Sequence, residues 1–230
     1  MRREISNPIR KFIDEALPPL LRDSRPFNYP MFWYWFEGKH VDEAMRFKDF
    51  AFDLSDREFR EFYDRIQCRA SRRPTDCNEA SLAWVLQRLD QRAASMIDIG
   101  CGRGYWLDRC ADFDIERFGY DMHLPRSNGR FLGVQGDVEQ LPFANNAFDI
   151  VTCFHTLEHC RKLPSAIAEL ERITERQLFV IVPKQRYQHH TPDLHLQFFY
   201  SARYLQSLFS IAHCESQEVD GDLVLMATKR

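Results

Sequence analysis

The residues with the most chemical potential in this 230-residue chain are three closely spaced glycines, a few carboxylates and a scatter of histidines. Asp98-Ile99-Gly100-Cys101-Gly102-Arg103-Gly104 follows the apolar run Met96 to Ile99 and precedes Trp106, Leu107 and Cys110, which share one helical face. A strand, a glycine turn and a helix make a cradle. The glycines let the backbone approach a ligand, and the free amides of the helix start face a negative group such as the carboxylate of an amino-acid cofactor. Asp121 follows about 20 positions later, at the end of the next strand, where a carboxylate can accept from both hydroxyls of a ribose. Met122 would then lie against the base. The spacing is Gly-x-Gly-x-Gly and not the Gly-x-Gly-x-x-Gly of the dinucleotide fingerprint, which argues against a nicotinamide dinucleotide.

The histidines fall into two groups. Phe154-His155-Thr156-Leu157-Glu158-His159-Cys160 ends an apolar run, and Gln188-His189-His190-Thr191-Pro192-Asp193-Leu194-His195 opens a later polar stretch. An imidazole near an acceptor hydroxyl can take its proton, so His155, His159 and His195 are the catalytic candidates. Plainer roles compete with this one: Glu158 and His159 could cap the helix that follows, and the later histidines could be solvated loop residues.

Such groups need a scaffold, and the pattern supplies one. From Met96 onward apolar strands alternate with helices: Met96 to Ile99, Arg117 to Tyr120, Phe131 to Gln135, Ala147 to Phe154 and Gln177 to Val182, with a helix over about 164–173. That alternation predicts a parallel sheet with crossover helices. After a helix over about 201–209, strands near 213–219 and 223–229 meet at Asp220-Gly221-Asp222, a hairpin turn. The expected fold is therefore α/β, a Rossmann-like doubly wound seven-stranded sheet with an antiparallel C-terminal hairpin. Residues 1–75 read as a helical N-terminal extension and 76–230 as the binding domain, with Pro74 at the junction. In the extension, Ser55 and Glu58 form a capping box for a helix over about 56–68, and a second helix is expected over about 78–91. The aromatic run Asn28 to Phe36 could be packing or a substrate cover.

Composition narrows the classes. A formal charge of -3 and a pI near 6.2 give no general attraction for long nucleic acids, although Arg69, Arg72 and Arg73 cluster locally. Seven cysteines without a Cys-x-x-Cys pair point to reduced thiols and a cytoplasmic setting. The start, Met1 to Ile5, leads into no long apolar run, and Met31 to Phe36 is too short for a bilayer, so neither secretion nor membrane insertion is expected.

Asp-x-Gly-x-Gly-x-Gly after a hydrophobic strand resembles motif I of the class I S-adenosylmethionine-dependent methyltransferases. The likeness extends through Asp121, through Gly136-Asp137-Val138-Glu139-Gln140-Leu141-Pro142-Phe143, and through the Phe148-Asp149-Ile150-Val151 entry into the fourth strand. Leu157-Glu158-His159 resembles the strand ending common in type-11 small-molecule methyltransferases. The resemblance implies S-adenosylmethionine as cofactor. Asp98, Gly100, Gly102, Gly104, Asp121, Met122, Asp137, Val138 and His155 would line its site, with Asp137 accepting from the adenine amino group. It also implies a small-molecule or glycan-type acceptor, with methylation on oxygen favoured and no resident metal. Two alternatives stand beside it: a binding or partner protein without turnover, and a metal-assisted O-methyltransferase using His155, Glu158 and His159.

Overall fold

The computed structural model describes residues 17–66, 68, 73–124 and 129–229. Arg69, Arg72 and the segment Met1 to Ile5, singled out above, lie outside the described residues. Contacts divide the chain into two units: one holds residues up to Arg73 together with Gln185–Phe198, the other Pro74–Lys184 and Phe199 onward.

In the first unit, the described N-terminal part is helical: α1 (Pro19–Arg22), α2 (Arg25–Trp35), α3 (Val41–Met45), α4 (Phe47–Phe50) and α5 (Asp56–Arg65). The aromatic run is mostly α2, which continues through Pro30 although proline removes one ladder hydrogen bond. Phe32, Trp35 and Phe36 are buried, whereas Tyr29, Trp33 and Tyr34 are exposed. Buried aromatic area on one face thus holds the helix against its internal proline. The Ser55–Glu58 capping box opens α5, whose Phe59 and Phe62 pack inward; Phe62 stacks on Phe47 at 4.6 Å between centroids. The helix stops at Arg65 rather than near 68 because Ile66 leaves helical geometry.

The histidine-rich stretch belongs to this unit and is tied down at several points. His190 Nδ1 lies 3.0 Å from the Met45 carbonyl, the His189 amide donates to Asp23, and Tyr63 donates to the Leu194 carbonyl. Lys48 donates to the Gln188 carbonyl and places its ammonium 4.3 Å from the centre of the Phe198 ring. Burial pushes the Lys48 pKa down to about 7, with the Asp23 charge opposing it.

The second unit is built on one sheet. α6 (Glu79–Leu86) leads into β1 (Ser95–Ile99), followed by α7 (Tyr105–Arg109), β2 (Glu116–Asp121), β3 (Leu132–Gln135) and β4 (Phe148–Phe154). A 3-10 turn at Leu157–His159, α8 (Leu163–Ile173), β5 (Thr174–Pro183), α9 (Ala202–Ser207), β6 (His213–Val219) and β7 (Asp222–Thr228) complete it. The strand order is β3-β2-β1-β4-β5-β7-β6, seven strands in all. β1 to β5 are mutually parallel, and β7 runs antiparallel between β5 and β6. Ile97, Ile99, Val151 and Val180 are sealed between helical layers, as expected of parallel strands covered on both faces. Asp220 and Gly221 both have positive φ, the geometry of a two-residue type I′ turn, and this sets the β6–β7 register.

Two boundaries in this unit differ most from the sequence expectation. β5 begins at Thr174, because backbone pairing of Thr174 with Phe148 extends the strand through polar residues. α6 ends at Leu86 with the Gln87 amide closing on the Ala83 carbonyl. No helix among the described residues is long and apolar enough to cross a membrane.

Candidate functional site

The glycine turn leaves the carboxyl end of β1 at the point where neighbouring connections diverge to opposite sides of the sheet, the usual ligand position in open α/β sheets. Gly100, Gly102 and Gly104 all have positive φ. The amides of Gly100 and Cys101 donate to the Tyr120 carbonyl at 2.7 and 3.1 Å, pinning the turn to β2. The three glycines do different jobs. A Cβ at Gly100 would fall within 3.0 Å of three Thr156 side-chain atoms, and one at Gly104 would collide with the Phe131 ring. A Cβ at Gly102 would meet nothing within 4 Å. Gly100 and Gly104 are therefore demanded by packing, while Gly102 borders open space.

Asp121 flanks that space. Its Oδ2 accepts from the Gly102 amide at 2.9 Å and its Oδ1 from the His123 amide at 3.0 Å. Each carboxylate oxygen has a further lone pair, so two fixed acceptor positions remain for a diol. Met122 follows, with its carbonyl accepting from Gln135. Asp137 Oδ1 caps the next turn through the Glu139 amide, and the Tyr120 hydroxyl donates to the Asp137 carbonyl. Val138 is half-buried against the core.

Asp98 is in a different position from the other candidates. It is 3% exposed inside the sheet, and its Oδ1 accepts from the Thr152 hydroxyl at 2.7 Å. Burial raises its pKa to about 7, against the opposing Thr152 hydrogen bond and with a further push from Asp121. The expected ligand contact is thus replaced by support beneath the turn.

At the end of β4, His155 adopts positive φ and donates its amide to the Ile181 carbonyl. Its Nδ1 lies 3.2 Å from Glu158 Oε1 and its Nε2 3.4 Å from Asp222 Oδ1; both carboxylates are buried and the ring is 11% exposed. Burial alone would depress the imidazole, but the Asp222 charge and the hydrogen bonds to Asp222 and Glu158 outweigh it and raise the pKa to about 10. At neutral pH the ring is a cation with carboxylates at both nitrogens. A proton acceptor needs a bare nitrogen, so the geometry corrects the expectation that His155 is a base, and the same engagement removes it from a metal-ligand set.

His159 closes the 3-10 turn that follows His155, and His195 Nδ1 lies 2.7 Å from Gln185 Oε1. Sequence reading took Asp222 for a hairpin residue and passed over Asn78, Ser81 and Thr156. The register that sets Asp222 opposite Pro183, at the end of β5, was the missing signal.

Residues 97–182 match the methyltransferase domain of type 11. The malonyl-[acyl-carrier protein] O-methyltransferase of Serratia marcescens is 35% identical over 88 residues, which is 34% of this chain and 33% of that protein. The chain spans between 20% and 45% of the length of the curated relatives it matches. Among solved structures, the Burkholderia thailandensis 1,6-didemethyltoxoflavin-N1-methyltransferase, with 1,6-didemethyltoxoflavin and S-adenosylhomocysteine bound, aligns with TM-score 0.55 at 20% identity. The alignment covers 83% of this chain and 89% of that one. The cyclase SpnF aligns with TM-score 0.53 at 18% identity over 64% of this chain and 79% of its own. Strand order, glycine turn and matched segment together liken residues 97–182 to the type-11 methyltransferase domain.

Proposed function

We propose that the protein is an S-adenosylmethionine-dependent methyltransferase of a small polar or glycosylated acceptor, with transfer to oxygen favoured. The observation that carries the cofactor half is the open face of Gly102 beside the two remaining acceptor positions of Asp121. When bound, S-adenosylmethionine supplies an electrophilic methyl group on a sulfonium. The chain's part is to hold and orient: Asp121 the ribose, Met122, Asp137 and Val138 the adenine end, and the Gly100 to Gly104 backbone the amino-acid end. Positioning supplies most of the acceleration in such a transfer.

An oxygen acceptor must also give up a proton. With His155 and Glu158 engaged with each other, His159 is the group at this edge that can receive it. Acceptor choice is assigned to the N-terminal unit, because Tyr29, Trp33 and Tyr34 expose flat aromatic faces suited to a ring with both polar and apolar sides. The O-methyltransferase name of the Serratia relative agrees with transfer to oxygen.

Calorimetric titration tests the cofactor. Asp121→Ala leaves the ribose hydroxyls unpaired and should weaken S-adenosylmethionine binding by about tenfold or more, equivalent to about 1.4 kcal/mol. Wild-type protein that does not bind the cofactor would end this reading. Labelled-methyl transfer to a panel of glycans and phenols separates an enzyme from a cofactor-holding partner protein, a distinction the SpnF likeness makes worth drawing because one fold serves several chemistries.

A further inference from the structure

Asp222, the first residue of β7, is the hub of a buried polar network that none of the glycine or ribose motifs requires. Its Oδ2 accepts from the Asn78 side chain at 2.9 Å, the Asn78 amide at 3.4 Å and the Ser81 hydroxyl at 3.3 Å. Asn78 also caps α6, its Oδ1 accepting from the Ser81 amide at 2.7 Å, and its side-chain amide reaches the Val219 and Asp220 carbonyls. Through Oδ1 the same carboxylate meets His155, whose other nitrogen meets Glu158. The residue after His155, Thr156, packs so tightly on Gly100 that no side chain fits there. One carboxylate thus joins the start of α6, the terminal hairpin and the segment that walls the glycine turn.

We propose that Asp222 is a positioning residue for the cofactor site: by holding the His155 ring it fixes residues 155–158 against the glycine turn. The inference rests on the reading of that turn as the S-adenosylmethionine site. Glu158 is fully buried with its Oε1 3.2 Å from the His155 ring, so the cationic ring compensates its charge. Removing a partner from a buried charge is strongly unfavourable, and a neutral ring would leave two buried carboxylates with no cation between them. The charged groups facing the ring are Glu158 from the 3-10 turn and Asp222 from β7. Asn78 and Ser81 are neutral, and the Cys153 thiol on β4 is held neutral by burial.

The sign of the pH dependence follows. The folded-state pKa of His155 is raised above its unfolded value, so the stability this network contributes is present below about pH 6.5 and is lost as pH rises through about 10. Without the Asp222 charge, that loss should move toward neutrality.

The test combines NMR of the labelled His155 imidazole with calorimetric titration of S-adenosylmethionine from about pH 6 to 8.5, on wild type and Asp222→Asn. In wild type the ring should stay protonated throughout and cofactor affinity should not vary with ring titration. In Asp222→Asn the ring's affinity for its proton should fall by about a hundredfold or more, about two pKa units, which brings the midpoint to about 8 or below. Cofactor affinity should then drop severalfold above the new midpoint and recover below it. A residue that only fills space would lose affinity equally at every pH, and that result, or a wild-type ring titrating near 6.5, overturns the proposal. The wild-type titration decides even where Asp222→Asn does not fold. If wild type binds no S-adenosylmethionine, the cofactor reading fails while the ring titration still judges the tie between Asp222 and His155.

Discussion

Gly100→Ala should cost the fold several kcal/mol, while Gly102→Ala should leave it largely intact and weaken cofactor binding. Both positions have positive φ, so each alanine bears a backbone penalty of about 1–2 kcal/mol. At Gly100 the new methyl also lands on Thr156, which is backed by hydrogen bonds to the Ile99 and Phe154 carbonyls and has little room to move. Overpacking of this kind adds about 1–3 kcal/mol. The sum predicts a fall in melting temperature of roughly 5–15 °C at the scale of about 2–4 °C per kcal/mol for chains of this size. Gly102→Ala faces no such contact, because a Cβ there meets nothing within 4 Å. Its melting temperature should move by only a few degrees, whereas S-adenosylmethionine affinity should fall by about tenfold or more. Thermal unfolding and calorimetry on the two variants check both halves. Equal destabilisation, or wild-type affinity in Gly102→Ala, would show that the open face is not the cofactor's.

This contrast marks what could be read in the chain before its structure. Strands and glycine turn were legible because their causes are local: Ile97, Ile99, Val151 and Val180 make the apolar runs of strands covered on both faces, and Asp220-Gly221 carries its own turn chemistry. All three glycines look alike in sequence, however, and only the neighbours Thr156 and Phe131 separate the packing glycines from the open one. The same holds for His155. Its partner Glu158 is three residues away and visible, but Asp222 arrives through the antiparallel pairing of β7 with β5, a contact no spacing rule announces. Tertiary context therefore turned a candidate base into a buried cation. The histidine-rich loop is the third case: its backbone and side chains bond to Asp23, Met45 and Lys48, so an outwardly solvated stretch is an integral part of the N-terminal unit.

Asp98→Asn should flatten the stability of the protein between about pH 4 and 7, the window set by an ordinary aspartate and the raised value in the folded chain. The buried carboxyl binds its proton more tightly in the folded state than in the unfolded one. Folding therefore takes up a proton in that window, and stability falls as pH rises through it, levelling off above about 7. At about 1.4 kcal/mol per pKa unit, the loss accumulates to an upper limit of about 4 kcal/mol. Asparagine keeps an acceptor for the Thr152 hydroxyl and cannot ionise, so the term vanishes. Its extra buried N–H can cost about 1–3 kcal/mol if unmade, which offsets the absolute stability at every pH alike and leaves the slope as the diagnostic. Urea unfolding of both proteins at about pH 4.5 and 7.5 should show the difference between them shifting toward Asp98→Asn by about 2 kcal/mol or more at the higher pH. Parallel curves would mean that Asp98 is already ionised under the glycine turn at neutral pH, with the Thr152 hydroxyl and a local dielectric higher than burial suggests carrying the charge. The fixed anion beneath Gly100 would then be part of the cofactor site's electrostatics and not a neutral support.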